Sequence, residues 1–355
     1  MGDYKISIVM PVYNASRDLP FALESIVNQT MDLEDIEVII VDDCSTDNSL
    51  DVIQEYSEKY SGFKVFKLDK NVGAAYGPRN VGLEQVTGEF VMFLDSDDQF
   101  HPEACETLYK TISGNPVVDV AFARYFRVYP EENIILKSYS PYTDSISNYK
   151  DDLVEGARLN GAVGFLWKNI FSHLLYGSKK SLNYSEIFID DIRDHSELFT
   201  ILPSIWTKIY RTSFLRKYNL HFPSFISGED LNFVVESFFL AQGIVFVNET
   251  VIHDYYMRNT EDNKSITKNI NYPLVYDSLL SYYNCSKICK KVGFKKSNII
   301  LNPFLLNWIS LYQKSDLSKK EKSELYEIIK SMGRIYKNGI VARSLILFIK
   351  LLLKT

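Results

Sequence analysis

Cysteine is scarce: Cys44, Cys105, Cys285 and Cys289 are the only four in 355 residues. They are scattered, and no nearby His or Cys completes a metal-ligand set, so the sequence predicts neither a disulfide framework nor a structural zinc site. Cys285 and Cys289 are spaced to share a helix face. No stretch reaches the roughly 20 apolar residues that a membrane span needs. The N-terminus runs straight into a strand-like segment, so no signal peptide is expected and the cytosol is the expected location. Basic charge is not in excess either. A net charge of -6 gives no electrostatic case for nucleic acid. Finally, no Gly-x-Gly-x-x-Gly follows the first apolar run. Gly73, Gly77 and Gly82 have the wrong spacing and come too late, which argues against a dinucleotide-dependent dehydrogenase.

The chain is 46% hydrophobic and 24% charged, and its length suits one large domain or two modest ones. Aromatic residues make up 14%, with 24 Tyr and 22 Phe. Such rings serve as stacking platforms for sugars, and core packing uses them as well. Residues 5–10 (KISIVM), 37–41 (EVIIV) and 90–94 (FVMFL) are short continuous apolar runs that read as buried strands, with another strand near 63–68. Leu19, Ala22, Leu23, Ile26 and Val27 follow helical spacing and predict a helix over 19–29. A second helix is predicted over 46–60, with Asp47 and Asn48 placed to cap it, and a third over 78–85. This alternation predicts an α/β fold with a mostly parallel sheet covered on both faces.

In such sheets ligands bind where strands end at their carboxyl edge. Three predicted strand ends carry polar residues, namely Pro11-Val12-Tyr13-Asn14, Asp42-Asp43 and Asp95 to Asp98, so one converging site is expected. After a strand near 117–123 the pattern weakens, and 131–202 reads as an insertion or connecting subdomain between a first half at 1–130 and a second half at 203–270. That second half holds a Gly228-Glu229-Asp230 turn, a helix over 231–241, and strands near 244–247 and 251–256. Residues 271–355 read as helices.

The carboxylates at Asp95-Ser96-Asp97 repel one another, and a divalent cation resolves that repulsion. Oxygen ligands of this kind suit Mg²⁺ or Mn²⁺. Asp97 or Asp98 would also serve as a cap for the helix starting at His101-Pro102-Glu103. Asp43 is placed to accept from a ribose hydroxyl or a base N–H, or to cap the next helix, a task equally open to Ser45, Thr46 or Asp47. Tyr13 is placed to lie against a nucleobase. The loop from Asn71 to Asn80 has small residues that permit close backbone approach, Pro78 suits a first helical turn, and Arg79 sits where a guanidinium could pair with a phosphate.

Taken together, Ile8-Val9-Met10-Pro11-Val12-Tyr13-Asn14, Val41-Asp42-Asp43-Cys44-Ser45-Thr46-Asp47, Arg79-Asn80, Asp95-Ser96-Asp97-Asp98, Trp206-Thr207-Lys208-Ile209-Tyr210-Arg211 and Gly228-Glu229-Asp230 resemble the inverting glycosyltransferases of family two. The likeness covers roughly residues 5–265, and Pro78 before Arg79-Asn80 resembles the variant in wall teichoic acid glycosyltransferases. The resemblance implies a GT-A fold with a helical C-terminal region. It implies a sugar, hexosyl or N-acetylhexosaminyl, moved from a nucleotide diphosphate such as a UDP-sugar to an acceptor hydroxyl of a cell-wall, capsule or other surface glycan. The acceptor would be a glycan, a polymer or a lipid-linked molecule. Pro11, Tyr13 and Asp43 would hold the nucleoside, Asn71 and Arg79 would line the donor pocket, and Asp95 and Ser96 would contact ribose or phosphate. Asp97 would hold Mn²⁺ or Mg²⁺, and Asp230 matches the catalytic base. Read alone, Asp230 would be the N-cap of the following helix.

His253 is the only histidine after Asp230; it falls in a predicted strand and is left out of the metal set, while Arg258 and Lys264 are better placed to meet diphosphate. His101, His173, His195 and His221 show no clear partners and read as surface or packing residues. The tail at 339–355 (GIVARSLILFIKLLLKT) either packs on the protein or an oligomer partner, or lies in a membrane interface, which would put the chain at the inner face of the membrane. A glycoside hydrolase would have no use for a nucleotide pocket. A catalytically inactive nucleotide-sugar-binding protein of the same fold is the alternative, and the presence of both Asp97 and Asp230 argues against it.

Overall fold

The computed structural model describes residues 4–138, 185–200, 204–257 and 270–335. The apolar runs form β1 (Ile6–Val12), β2 (Ile36–Asp42) and β4 (Phe90–Phe93), with β3 (Phe63–Lys67) beside β2. β1, β2 and β4 are buried along their whole length because both faces are covered, which is why the sequence shows continuous apolar runs instead of alternation. β1 pairs in parallel with β2 and β4, and β2 pairs in parallel with β3. The helices between them are α1 (Leu19–Val27), α2 (Ser49–Lys59) and α3 (Tyr76–Gln85). A short β5 (Gln99–Phe100) and α4 (Ala104–Ser113) follow β4.

Successive residues of each strand point to opposite sides, so the core divides in two. Ile8, Met10, Val38 and Ile40 pack with Leu23 and Leu108, whereas Val9, Ile39 and Val41 belong to the other cluster. α3 lies flush on that second face: a Cβ at Gly82 would meet Val9 Cγ1 at 2.4 Å and Val41 Cγ2 at 3.5 Å. Only a glycine lets the helix that carries Arg79 come this close to β1 and β2.

The sheet continues through β6 (Val120–Tyr129), β7 (Ile134–Lys137), β8 (Glu186–Ile189), β9 (Lys208–Arg211) and β10 (Ile244–Tyr256). The strand order is β3-β2-β1-β4-β9-β6-β10-β5, with β7 on β6 and β8 on β10. β9 runs antiparallel to both β4 and β6 and joins the parallel portion to the rest. The remaining helices are α5 (Thr212–Lys217), α6 (Glu229–Leu240), α7 (Tyr272–Lys291), α8 (Ser297–Lys314) and α9 (Lys319–Ile335). Trp308, fully buried, donates its indole N–H to the Val275 carbonyl at 2.8 Å and fastens α8 to α7. Cys285 and Cys289 are free thiols buried on α7. Among the described residues, no helix is long and apolar enough to cross a membrane.

Several elements differ from their sequence expectation. The two strands expected at 244–247 and 251–256 are one strand, with register shifts between Val247 and Val251 and between Val251 and His253. The polar Asn248-Glu249-Thr250 interrupts the apolar pattern, yet the chain absorbs it as an irregularity and pins Asn248 N–H to the Ser185 carbonyl at 2.8 Å. α2 starts at Ser49, not Thr46, because Asp47 bends back to accept from Ser49 N and Oγ at 3.0 and 2.6 Å. α6 starts at Glu229, so Gly228-Glu229-Asp230 is the helix's own first turn. Arg258, Lys264, His173 and the tail at 339–355 lie outside the described residues, as does most of 139–203.

Candidate active site

Because β1, β2 and β4 run parallel, their carboxyl ends share one edge of the sheet. The loops there are stitched together. Asn14, with φ +49°, accepts the Thr46 amide at 2.7 Å, and its own N–H reaches Ser45 Oγ at 3.0 Å. Tyr13 stands out from this edge at 51% exposure, a ring open to a planar ligand. Asp43 is buried, and its Oδ1 accepts the Val72 amide at 2.8 Å, while Asn71 Nδ2 donates to the Asp43 carbonyl at 2.9 Å. Burial raises the Asp43 pKa and the Val72 and Gly73 amides pull it back. Asp43 and Asn71 therefore form one brace between β2 and the 71–80 loop, and Asp43 caps no helix.

Arg79 is the hub of the site. The sequence places it toward a phosphate; in the structure its fork holds three carboxylates. Nη2 donates to Asp95 Oδ1 at 2.6 Å, and Nη1 donates to Asp230 Oδ1 at 2.6 Å and Glu229 Oε1 at 3.1 Å. The guanidinium also sits 5.6 Å from the Phe222 ring centroid. Its Nε is buried with no partner among the described residues. Burial works against the Arg79 charge, but Asp230, Asp95 and Glu229 outweigh it and hold the pKa above the ordinary arginine value. Burial also lifts Asp230 and Glu229 above the ordinary carboxylate range, with Arg79 opposing the rise in both. Solvent reaches 26% of the Asp230 side chain and 27% of Asp95, so these two carboxylates face the open edge while Arg79 lies beneath them.

Asp230 does not cap α6. The N-cap is Gly228 at φ +84°, where a Cβ would stand 2.3 Å from Ser281 Oγ. Ser281 Oγ instead donates to the Gly228 carbonyl at 2.9 Å, and Asn232 Nδ2 donates to Ser281 Oγ at 2.7 Å. Asp277 accepts the Ile226 amide at 2.9 Å. Helix α7 thus braces the turn that presents Asp230.

The acidic turn after β4 divides its labour. Asp95, Ser96 and Asp97 are half-buried at the sheet edge, whereas Asp98 is buried. Asp98 Oδ2 lies 3.1 Å from His253 Nε2, and Asp98 Oδ1 accepts the Tyr256 amide at 3.0 Å. The N-cap of α4 is Glu103, so neither Asp97 nor Asp98 caps that helix. Burial lowers the His253 pKa to about 3 and keeps the ring neutral.

Sequence reasoning missed four participants. Glu229 is the third carboxylate on Arg79, and Asp98 with His253 form a buried pair. Lys208 is buried over the rings of Phe122 and Phe238, at 5.5 and 5.8 Å, and donates to the Ser204 carbonyl and to Thr207 Oγ1. Burial pushes its pKa down to about 7, against the pull of Asp230. A lysine inside the apolar frame Trp206-Thr207-Lys208-Ile209-Tyr210 was the available signal. His101, expected to lack a partner, pairs its Nε2 with Asp254 Oδ1 at 2.9 Å, a contact spanning 153 residues that no local pattern reveals.

Residues 7–166 match the family model described as Glycosyl transferase family 2. The chain is 30% identical over 265 residues to the poly(ribitol-phosphate) beta-glucosyltransferase of Bacillus spizizenii, a match covering 74% of this chain and 33% of that protein. It is 26% identical over 306 residues to the cholesterol galactosyltransferase of Borreliella burgdorferi, covering 86% of this chain and 73% of that one. The chain thus spans about a third of the length of the poly(ribitol-phosphate) relative it matches. Its fold superposes on residues 1–349 of Staphylococcus aureus TarS in complex with UDP-GlcNAc with a TM-score of 0.61 at 21% identity, covering 99% of this chain and 90% of that one. The architecture is GT-A, with a helical C-terminal region.

Proposed function

Since the chain carries a family-two glycosyltransferase domain over residues 7–166, we propose that it moves a sugar, with inversion, from a UDP-sugar to an acceptor hydroxyl in bacterial surface-glycan synthesis. One observation carries this reading: a single buried guanidinium joins Asp95, at the end of a nucleotide-side strand, to Asp230 on the acceptor side. In this reading Pro11, Tyr13 and Asp43 hold the nucleoside, Asn71 and Arg79 line the donor pocket, and Asp95 and Ser96 meet ribose or phosphate. Asp230 takes the proton of the acceptor hydroxyl as its oxygen attacks the anomeric carbon, and the bond to the nucleoside diphosphate breaks in the same step. No covalent enzyme intermediate forms. The diphosphate's negative charge competes with Asp230 for Arg79, so a bound donor loosens the grip on the base.

Among the described residues no group of three or more His, Cys, Asp or Glu side chains could hold a metal ion unaided. An ion held by one or two carboxylates and completed by phosphate oxygens does not need such a group, and in this reading Asp97, half-buried at the sheet edge, would be the protein ligand of Mn²⁺ or Mg²⁺. When bound, such an ion would neutralise charge on the leaving diphosphate. The names of the relatives support a hexosyl or N-acetylhexosaminyl group and a polymer or lipid acceptor, which would place the work at the inner face of the membrane.

A panel of nucleotide sugars, each with Mn²⁺, tests the reading by thermal denaturation. A UDP-sugar should raise the melting temperature by mass action. A flat response to the whole panel would remove the donor site.

A further inference from the structure

We infer that Asp98 and His253 are positioning residues for donor binding, which lock the turn bearing Asp95, Ser96 and Asp97 onto strand β10. The inference rests on the donor-site reading above. Asp98 is 1% exposed and His253 is 0% exposed, so neither reaches a ligand at the sheet edge. Asp98 instead uses both oxygens on β10: Oδ2 on His253 Nε2 at 3.1 Å and Oδ1 on the Tyr256 amide at 3.0 Å. Its own N–H closes the turn on the Asp95 carbonyl at 3.1 Å. With a carboxylate opposite it, Nε2 is the donor of a neutral ring, and Nδ1 has no partner among the described residues. Among the described residues the imidazole thus makes a single hydrogen bond, and that bond is to the turn.

The ring is itself held rigid. Trp206 stacks on it with centroids 4.1 Å apart at 13°, and Phe100 meets it edge-on at 5.7 Å. Trp206 also stacks on Tyr255 at 5.3 Å. Just beyond the turn, β5 pairs Phe100 with His253 and Gln99 with Asp254. The fourth acid of Asp95-Ser96-Asp97-Asp98 is therefore an anchor, and the geometry of the first three is set by a histidine 155 residues further on. Outer contacts that hold ligand-binding groups in place typically cost about 10- to 100-fold in affinity or activity when removed.

The test combines calorimetric titration of UDP in the presence of Mn²⁺ with steady-state kinetics. It compares wild type, His253→Phe, Asp98→Ala, the double variant and His253→Gln. Phe keeps the packing on Trp206 but donates nothing, while the Gln Nε2 restores a donor. His253→Phe and Asp98→Ala should each weaken UDP binding about tenfold. The donor KM should rise with them and kcat should move much less. The double variant should be no weaker than the worse single one, because both remove the same bond. His253→Gln should bind close to wild type. Wild-type affinity in a folded His253→Phe protein, or additive losses in the double variant, would overturn the inference alone. If His253→Phe does not fold, His253→Asn replaces it: its shorter amide should bind UDP weakly where His253→Gln binds well, and equal affinities would overturn the inference. A wild-type protein that binds no UDP removes the donor-site reading itself.

Discussion

Arg79 Nη1 and Asp230 Oδ1 meet at 2.6 Å across 151 residues of sequence. The contact draws the candidate base onto the same cation that holds Asp95. If Asp230 is the base, as proposed, this contact restrains it, and the first prediction follows from that restraint.

Asp230→Asn keeps the shape of the side chain and removes the proton acceptor. Transfer should fall by about 10²- to 10⁴-fold. UDP affinity should hold or improve, since the substitution takes a negative charge off Arg79. Radiolabelled transfer and UDP titration on the same preparation check both halves. Near-full turnover in this variant would remove Asp230 from its role.

Arg79→Lys is not conservative here, because one ammonium does not span the three carboxylates that the two Nη groups reach. The variant should lose about 2–3 kcal/mol of stability, since it leaves partly buried carboxylates poorly paired. Urea denaturation measures this. A loss below about 0.5 kcal/mol would mean that the pairs are no more than surface contacts.

Turnover should also report the charge on Asp230. Burial raises its pKa above 3.8 and Arg79 lowers it. The carboxylate acts as a base only when ionised, so the rate should climb as pH rises through that raised pKa. In Arg79→Met the opposing charge is gone, and the acid limb should move to higher pH. A limb that stays in place, or moves to lower pH, would contradict the pairing. Profiles of kcat/KM against pH decide between these outcomes.

Lys208 offers a separate test of buried charge. The folded state gives up its proton near 7, whereas the ordinary value is 10.5. Between those values the unfolded chain binds more protons, so the cost of burying this ammonium fades as pH rises. Lys208→Met should therefore raise the melting temperature most at or below neutral pH, by an amount equivalent to roughly 1–4 kcal/mol. The gain should shrink toward alkaline pH. A pH-independent effect would mean that folding leaves the Lys208 pKa unshifted. Activity should drop as well, because Lys208 helps hold the Asp230 charge.

Much of this arrangement was legible in the chain. The runs at 6–12, 36–42 and 90–93 announce buried parallel strands, and their polar ends locate the edge where Asp43, Asp95 and Asp97 gather. Gly82 looked like a failed nucleotide fingerprint, and its reason is packing against Val9. Long-range electrostatics stayed hidden. Nothing local says that Arg79 serves Asp95, Glu229 and Asp230 together, or that Asp98 turns inward to His253. Those pairings arise because β9 and β10 enter the sheet beside strands far from them in sequence. Strand breaks were also overread: Asn248-Glu249-Thr250 looks like a loop, and the sheet carries it as an irregularity.

Ser138 and Ser185, the described residues on either side of 139–184, are each tied to the sheet by a main-chain bond. Ser138 N–H donates to the Tyr125 carbonyl at 2.8 Å, and the Ser185 carbonyl accepts Asn248 N–H at 2.8 Å. Both bonds fall on long strands of the sheet, Tyr125 on β6 and Asn248 on β10. Because these are main-chain bonds, side-chain substitutions at 138 or 185 leave them available, and only proline at 138 would remove a donor.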